Sequence, residues 1–245
     1  MSARTTLIDR RLLTIIEEGI PGDVPEEVIK HHLTHKADLH QTLQELIMGP
    51  MPRAFKPGTL EFVQALGGQF AQAWLTSVPG GETLGSQRKS QVIKFRTNWH
   101  FDAEEEDRLT IEPSLGSQVI YLPGLVEGSL NCTFNKIEGR DSVQDILDRL
   151  PNVAGVRWIV GNLSKVCRVL ANHLKNTRLD GGQHLLPNVY TWTMDRYKWS
   201  DSDDEGGGLS RLIVGSFDDD GVHVSDCRPG VGSGFIGLFV LGVPV

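Results

Sequence analysis

The sequence predicts an α+β fold, with a small helical region at residues 1–82 and a mostly β domain at residues 83–245. Apolar residues at helical spacing dominate the first region, and short alternating segments separated by Gly and Pro dominate the second. A shift in composition near the C-terminus is the third observation. From Gly206 to Val245 there is no Lys, Glu, Gln, Met or Trp. These five types make up roughly one residue in six of the whole chain.

Composition sets the first limits on function. The chain has 245 residues and a formal net charge of -7, with 39% hydrophobic residues, which is typical of a folded globular protein. The acidic balance argues against a general nucleic-acid binder, which normally has a basic face, and leaves open a local basic patch where Arg and Lys recur from Arg157 to Arg178. No apolar stretch reaches the length of a membrane span, and a secretory signal pattern is absent from the first residues. We therefore expect a cytoplasmic location by default, with surface or virion display by another route as the alternative.

Three helices are predicted in the N-terminal region. The first covers residues 5–20 and ends at Pro21-Gly22. The second begins after Asp23, a favourable N-cap residue, and runs toward Ile47. The third covers Thr59 to Trp74, where large apolar residues recur every four positions. We expect this region to attach the protein to a partner or to form a homo-oligomer.

The second region is predicted to contain mostly strands. They fall at residues 91–101, 108–111, 118–122, 129–134, 189–193, 209–214, 222–224 and 236–243. Helices are predicted at residues 141–150, between a cap at Asp141 or Ser142 and Pro151, and at residues 156–174, where apolar residues follow one stripe. The acidic runs at residues 102–107 and 200–208 are predicted to be loops.

An ordered set of short motifs stands in the last part of the chain. Residues 188–193 read Asn-Val-Tyr-Thr-Trp-Thr, an acidic Gly-rich loop follows, and residues 211–217 read Arg-Leu-Ile-Val-Gly-Ser-Phe. Arg228-Pro229 and a closing segment at residues 236–240 complete the set. Their order and spacing resemble the formylglycine-generating-enzyme (sulfatase-modifying factor) type of C-type-lectin fold. The resemblance implies a C-type-lectin-like domain at residues 83–245. The scaffold residues it implies are Asn188, Trp192, Gly215, Ser216, Pro229, Ile236 and Gly237.

The composition shift resembles one group within that fold, the variable proteins of diversity-generating retroelements. There, randomised adenines turn Asn codons into codons ending in a pyrimidine, which cannot encode the five missing residue types. The resemblance implies a hypervariable binding segment at about residues 217–235, flanked by Tyr190, Tyr197 and Trp199. Its implied ligand-binding residues are Phe217, Asp218, Asp219, Asp220, Val222, His223, Val224, Asp226, Arg228, Val231, Ser233 and Phe235. The family usually has Trp at the position of Phe217.

These resemblances predict a non-enzymatic protein that binds a protein or another macromolecule and needs no cofactor. One alternative is an ordinary lectin-like binding or adhesin domain with a fixed ligand. The other is an enzyme of the formylglycine-generating type, which uses two nearby cysteines with copper. Only Cys227 lies in the matching segment, whereas Cys132 and Cys167 lie far from it in sequence, and a soft metal site needs convergent ligands.

Three other sites are weaker candidates. His31 and His35 share a helix face at a spacing that could hold a metal, but a solvated face is the preferred interpretation. The run at residues 218–221 could bind a cation through its three carboxylates. His223, Ser225 and Asp226 contain the residue types of a catalytic triad, but residues on one short strand need not converge.

Overall fold

A computed structural model describes residues 53–96, 101–111, 116–178, 182–197 and 210–245. Within these ranges the chain has an α+β fold, with two four-stranded β-sheets and few helices. The predicted helices at residues 5–20 and 23–47, the pair His31 and His35, the flanking residue Trp199 and the predicted loop at 200–208 all lie outside the described residues.

The described helices are mostly short. They are α1 (Thr59–Ala65), a 3₁₀-helix (Gly68–Gln72), α2 (Leu84–Lys89), α3 (Ala103–Arg108), α4 (Val143–Arg149) and α5 (Leu163–Asn176). Side-chain caps satisfy the backbone donors at several helix starts. At α4, the Asp145 carboxylate accepts a hydrogen bond from the Ser142 backbone N–H at 2.6 Å, and Ser142 Oγ accepts one from the Asp145 N–H at 3.2 Å. This capping box explains why α4 begins where the sequence predicts.

The strands are distributed between two sheets. They are β1 (Trp74–Val78), β2 (Ser117–Tyr121), β3 (Val156–Val160), β4 (Tyr190–Tyr197), β5 (Ser210–Asp218), β6 (Gly221–Cys227), β7 (Ile236–Gly237) and β8 (Val240–Pro244). The first sheet has the order β1-β2-β8-β3, and all of its pairs are antiparallel. The second has the order β6-β5-β4-β7, with β7 parallel to β4. The last residues of the chain thus contribute a strand to each sheet.

The second sheet separates two hydrophobic clusters. Val214 and Val224 belong to the cluster that also contains α5 residues, whereas Trp192 and Ile213 belong to the other. Neighbouring residues enter different clusters because successive side chains of a strand point to opposite faces. The centre of this sheet is therefore packed on both faces, which makes it a firm base for the loops at its ends.

The structure corrects the predicted helix from Thr59 to Trp74. The helix ends at Ala65, and Trp74 opens β1, which pairs with β2 over its whole length. The conformation of residues 74–78 depends on pairing with β2, which lies far away in sequence. The four-residue spacing of large apolar residues contains no information about that pairing. Because β1 lies before residue 83, the first sheet draws residues from both sides of the predicted boundary.

The predicted helix at residues 156–174 is wrong at its start. Residues 156–160 form β3, paired with β8, and α5 begins only after Asn162, whose Oδ1 accepts a hydrogen bond from the Lys165 backbone N–H at 2.9 Å. The acidic run at residues 102–107 is part of a capped helix, α3, rather than a loop. In the described parts of the predicted strands at residues 91–101, 108–111 and 129–134, isolated bridges, turns and the end of α3 replace a regular strand.

The remaining predicted elements are confirmed with small shifts of their ends. Strands occur at the predicted positions 118–122, 189–193 and 222–224 and in the described part of 209–214, and a helix occurs at 141–150. The predicted strand at residues 236–243 is divided: β7 joins the second sheet and β8 joins the first. The break falls at Leu238 and Phe239, which are both fully buried, Phe239 in the cluster with α5 and Leu238 in the other.

Candidate functional site

The candidate surface comprises the β5–β6 hairpin and the loop at residues 228–235. The hairpin turns tightly, because Asp218 pairs with Gly221 across Asp219 and Asp220. Gly221 has φ +118°, and a Cβ there would lie 2.6 Å from the Lys94 carbonyl oxygen, so only glycine fits this position. The Asp220 backbone N–H donates to Asp218 Oδ1 at 3.0 Å. This local bond holds the turn and leaves the side chains of Asp219 and Asp220 exposed.

Asp218 is held by a distant arginine. Arg96 forms an ion pair with its carboxylate, and Arg96 Nη2 also donates to the Ser216 carbonyl oxygen at 2.9 Å. Lys94 Nζ donates to the Asp219 carbonyl oxygen at 3.0 Å. These contacts with residues 94–96 fix the hairpin backbone. Sequence reasoning missed them because nothing local in residues 91–101 indicates a partner more than a hundred positions away.

An aromatic and imidazole cluster lies beside the hairpin. Register places Tyr190, Gly215 and His223 side by side on neighbouring strands. Because Gly215 has no side chain, the Tyr190 hydroxyl reaches across it to His223 Nδ1 at 2.5 Å. The Tyr190 ring also meets the Phe235 ring edge-on, with centroids 6.0 Å apart. Phe235 itself is 53% exposed, so this cluster is open to solvent on its outer side.

The 228–235 loop is tied down through its backbone. The Asn135 N–H donates to the Pro229 carbonyl oxygen at 3.1 Å, and the Asn131 N–H donates to those of Ser233 at 3.1 Å and Ile236 at 2.9 Å. The side chain of Val231, by contrast, is 46% exposed. The loop therefore combines a fixed main chain with outward-facing side chains.

Three of the predicted ligand-binding residues belong to the core instead. Phe217 is 2% exposed, Val222 is 1% exposed and Val224 is 6% exposed, and all three pack in the cluster that contains α5. Phe217 also meets the edge of the His184 ring at 4.6 Å between centroids. These residues cannot contact a surface ligand in this structure, so they are corrected to scaffold. For Val222 and Val224 the reason is strand phase, because inward and outward positions alternate along β6, whereas Phe217 lies on the neighbouring strand β5.

The other predicted ligand-binding residues are at least partly accessible. Exposed residues are Asp219, Asp220, Arg228, Val231 and Phe235, and half-buried ones are Asp218, His223, Asp226 and Ser233. The flanking residue Tyr197 is half-buried against the edge of Phe101, with ring centroids 5.4 Å apart. Burial first, and then the carboxylates of Glu105 and Asp226, raise the pKa of Tyr197. Asp226 is thus close to Tyr197, at the opposite end of β6 from the acidic turn.

The predicted scaffold residues occupy constrained positions. Trp192 is fully buried, and its Nε1–H donates to the Cys132 carbonyl oxygen at 3.2 Å. A Cβ at Gly215 would lie 2.0 Å from the Val189 carbonyl oxygen, and one at Gly237 would lie 2.7 Å from Leu125 Cδ1. The other scaffold residues are Ile236, which is buried, Asn188 and Ser216, which have positive φ, and Pro229, which is half-buried.

The geometry does not assemble a catalytic triad from His223, Ser225 and Asp226. His223 Nδ1 is hydrogen-bonded to the Tyr190 hydroxyl, and strand alternation places Ser225 and Asp226 on opposite faces of β6. Among the described residues, no group of three or more His, Cys, Asp or Glu side chains could hold a metal ion. No described helix is both long and apolar enough to cross a membrane.

In comparisons with known proteins, no family model, curated protein or solved structure matches this chain. Its function must therefore be inferred from its own residues and their geometry.

Proposed function

We propose that the chain is a non-enzymatic ligand-binding protein whose C-terminal C-type-lectin-like domain displays a hypervariable surface. The observation that carries this proposal is the surface made by β6 and the 228–235 loop, hereafter the display surface. There, buried strands and backbone hydrogen bonds fix the main chain, while His223, Ser225, Val231 and Phe235 face outward at least in part. Substitutions at such positions change binding with little effect on folding.

The missing residue types support the diversification part of the proposal. Residues 206–245 contain none of the five types that randomised Asn codons cannot encode. The residues of the display surface, among them His, Ser, Val and Phe, all belong to the encodable types. The residues present on the display surface are therefore compatible with diversification through randomised Asn codons.

The chemistry of the display surface suits a macromolecular ligand. Exposed Phe235 and Val231 provide apolar contact area, and Asp219 and Asp220, in the turn that precedes β6, provide charge next to that surface. An apolar centre with polar residues around it is typical of protein interfaces. We therefore propose a protein or another macromolecule as the ligand, with no cofactor.

The environment of the thiols supports a non-enzymatic function over a formylglycine-generating activity. Burial raises the pKa of Cys132 to about 11 and also raises the pKa values of Cys167 and Cys227. A thiol must ionise to act as a nucleophile or a metal ligand, and reactive thiols have lowered pKa values. Cys167 packs in the cluster with α5, apart from Cys132, which belongs to the other cluster, and from Cys227, which packs against that other cluster.

A second candidate is a lectin-like or adhesin domain with one fixed ligand. The hydrogen bond between the Tyr190 hydroxyl and His223 Nδ1, with the Phe235 ring beside it, favours this alternative. A preorganised cluster of this kind lowers the entropic cost of binding one particular ligand. Under this alternative, replacing His223 abolishes binding rather than redirecting it.

Two matched libraries test the proposal. The first randomises His223, Ser225 and Phe235 with codons ending in a pyrimidine, and the second does the same at Phe217, Val222 and Val224. We expect most members of the first library to fold and few of the second, because only the second alters the core. Protease resistance of displayed full-length chains measures the folded fraction. Equal folded fractions in the two libraries would contradict a display surface.

A further inference from the structure

We propose that a second binding site, for the phosphoryl group of a small molecule, lies in a recess at the edge of the first sheet. The recess has a volume of about 340 Å³, which is near the lower end for ligand pockets. Its lining includes three cationic residues, one buried hydroxyl and an apolar wall. The cationic residues are Arg53, Arg157 and Lys165. The hydroxyl belongs to Ser117, and the apolar wall includes Val243 and Pro244.

The sheet itself brings the cationic residues together. The Arg53 N–H donates to the Gly116 carbonyl oxygen at 3.0 Å, and its carbonyl oxygen accepts from the Gln118 N–H at 2.7 Å. Arg53 thus bridges Ser117 in parallel and shares its face of the sheet. Arg157 pairs with Val243, which also lines the recess, and Lys165 belongs to the first turn of α5.

Ser117 provides the observation that points to a ligand. The residue is 3% exposed, and its Oγ is buried without a hydrogen-bond partner among the described residues. Buried hydroxyls are normally hydrogen-bonded. An oxyanion in the recess would accept the Ser117 hydroxyl hydrogen and so satisfy this group.

The charge of the recess selects an anion. The exposed guanidinium groups of Arg53 and Arg157 each carry a positive charge, and none of the described lining residues is acidic. Arginine presents planar donors that match phosphate oxygens in pairs. Because both arginines are exposed, the recess is open to solvent. Val243 and Pro244 provide a wall for the uncharged part of a small phosphorylated molecule.

Titration of the full chain with inorganic phosphate, at ionic strength held constant with chloride, tests the site. We expect saturable binding of one phosphate per chain by calorimetry. Arg157→Gln and Arg53→Gln should each weaken binding about tenfold, since each removes charge-assisted hydrogen bonds. Ser117→Ala should weaken it by a smaller factor. Arg178→Gln, which removes an exposed arginine outside the recess, should leave binding within about twofold of the parent.

Three results would overturn the proposal. The first is an absence of saturable phosphate binding by the parent chain. The second is an equal weakening of phosphate binding by Arg178→Gln and Arg157→Gln, because binding would then depend only on the net charge of the chain. The third is binding to phosphatidic acid vesicles without binding of free phosphate, which would assign the recess to a lipid surface instead of a small ligand. Circular dichroism of each variant confirms that the fold is retained in the comparison.

Discussion

At the scale of single residues, Gly215 is where fold and candidate function meet. Its missing side chain lets Tyr190 reach His223, and a Cβ there would lie 2.0 Å from the Val189 carbonyl oxygen and 2.7 Å from the Tyr190 Cα. Both of these atoms belong to the backbone, so the contact cannot be relieved by rotating a side chain. Gly215 therefore sets the close approach of β4 and β5 beneath the display surface.

Replacing Gly215 with Ala should destabilise the fold by about 3 kcal/mol or more, because overpacking forces backbone shifts. Gly234→Ala is the matched control, since a Cβ there would meet nothing within 4 Å. The control should change the free energy of unfolding by less than about 0.5 kcal/mol. Urea denaturation of both variants measures the difference. Equal stabilities would show that the close approach of β4 and β5 is not needed.

Trp192 provides a second test at this scale. The side chain is fully buried and packs edge-on against Phe134, with ring centroids 5.9 Å apart. Trp192→Ala should cost about 3 to 5 kcal/mol in the free energy of unfolding, because it leaves a large cavity. Trp74→Ala, at a residue that is 36% exposed, should cost clearly less. A melting temperature unchanged by Trp192→Ala would show that Trp192 is not needed to stabilise the fold.

At the scale of elements, β6 divides its side chains between the core and the display surface. Val222 and Val224 point into the cluster with α5, and His223 and Ser225 point the other way. Both sets consist of residue types that randomised Asn codons can encode, so codon chemistry alone cannot tell them apart. The alternation of a strand supplies the distinction.

Neighbouring substitutions in β6 test this division. Val224→Ala should cost roughly 2 kcal/mol in the free energy of unfolding, since it removes two buried methyl groups. Ser225→Ala should change it by less than about 0.5 kcal/mol. The two changes lie at adjacent positions of the same strand, so their position in the sheet is nearly matched. A larger cost for Ser225→Ala than for Val224→Ala, measured by chemical denaturation, would reverse the assigned faces.

At the scale of the whole molecule, a buried polar pair links α5 to the first sheet. The Tyr121 hydroxyl lies 3.0 Å from His173 Nδ1, and both residues are almost fully buried. His173 Nε2 has no hydrogen-bond partner among the described residues. Burial lowers the pKa of His173 below its ordinary value of 6.5, so the neutral imidazole is the stable form in the folded protein.

This pair predicts a pH dependence of stability. Below pH 6.5 the unfolded chain binds a proton at His173 that the folded chain resists, so the stability from this group is full above pH 6.5 and falls as the pH decreases. His173→Gln should make the slope of unfolding free energy against pH shallower between about pH 7 and pH 5. His184→Gln is the control at a less buried histidine. Identical slopes for the parent and His173→Gln would contradict the effect.

Sequence reasoning predicted the fold best where local signals were strong. The α4 capping box and the alternating strands β4 to β6 carry their own patterns, and the structure confirms them. It failed at β1 and β3, because their conformation depends on pairing with β2 and β8. The sequence could indicate a candidate segment but not which of its residues face outward. Phe217 and the Arg96 contact with Asp218 required strand phase and tertiary contacts that no local pattern contains.

The most direct test of the central claim is to sequence the DNA that flanks the gene. The account predicts a near-copy of the segment encoding the C-terminal residues, differing almost only where the copy has adenine. The adenine-bearing codons should correspond to outward positions such as His223, Ser225 and Phe235, and should spare the buried positions Val222 and Val224. A flanking region without such a copy, or a copy whose adenines fall on the buried positions, would contradict a diversified display surface.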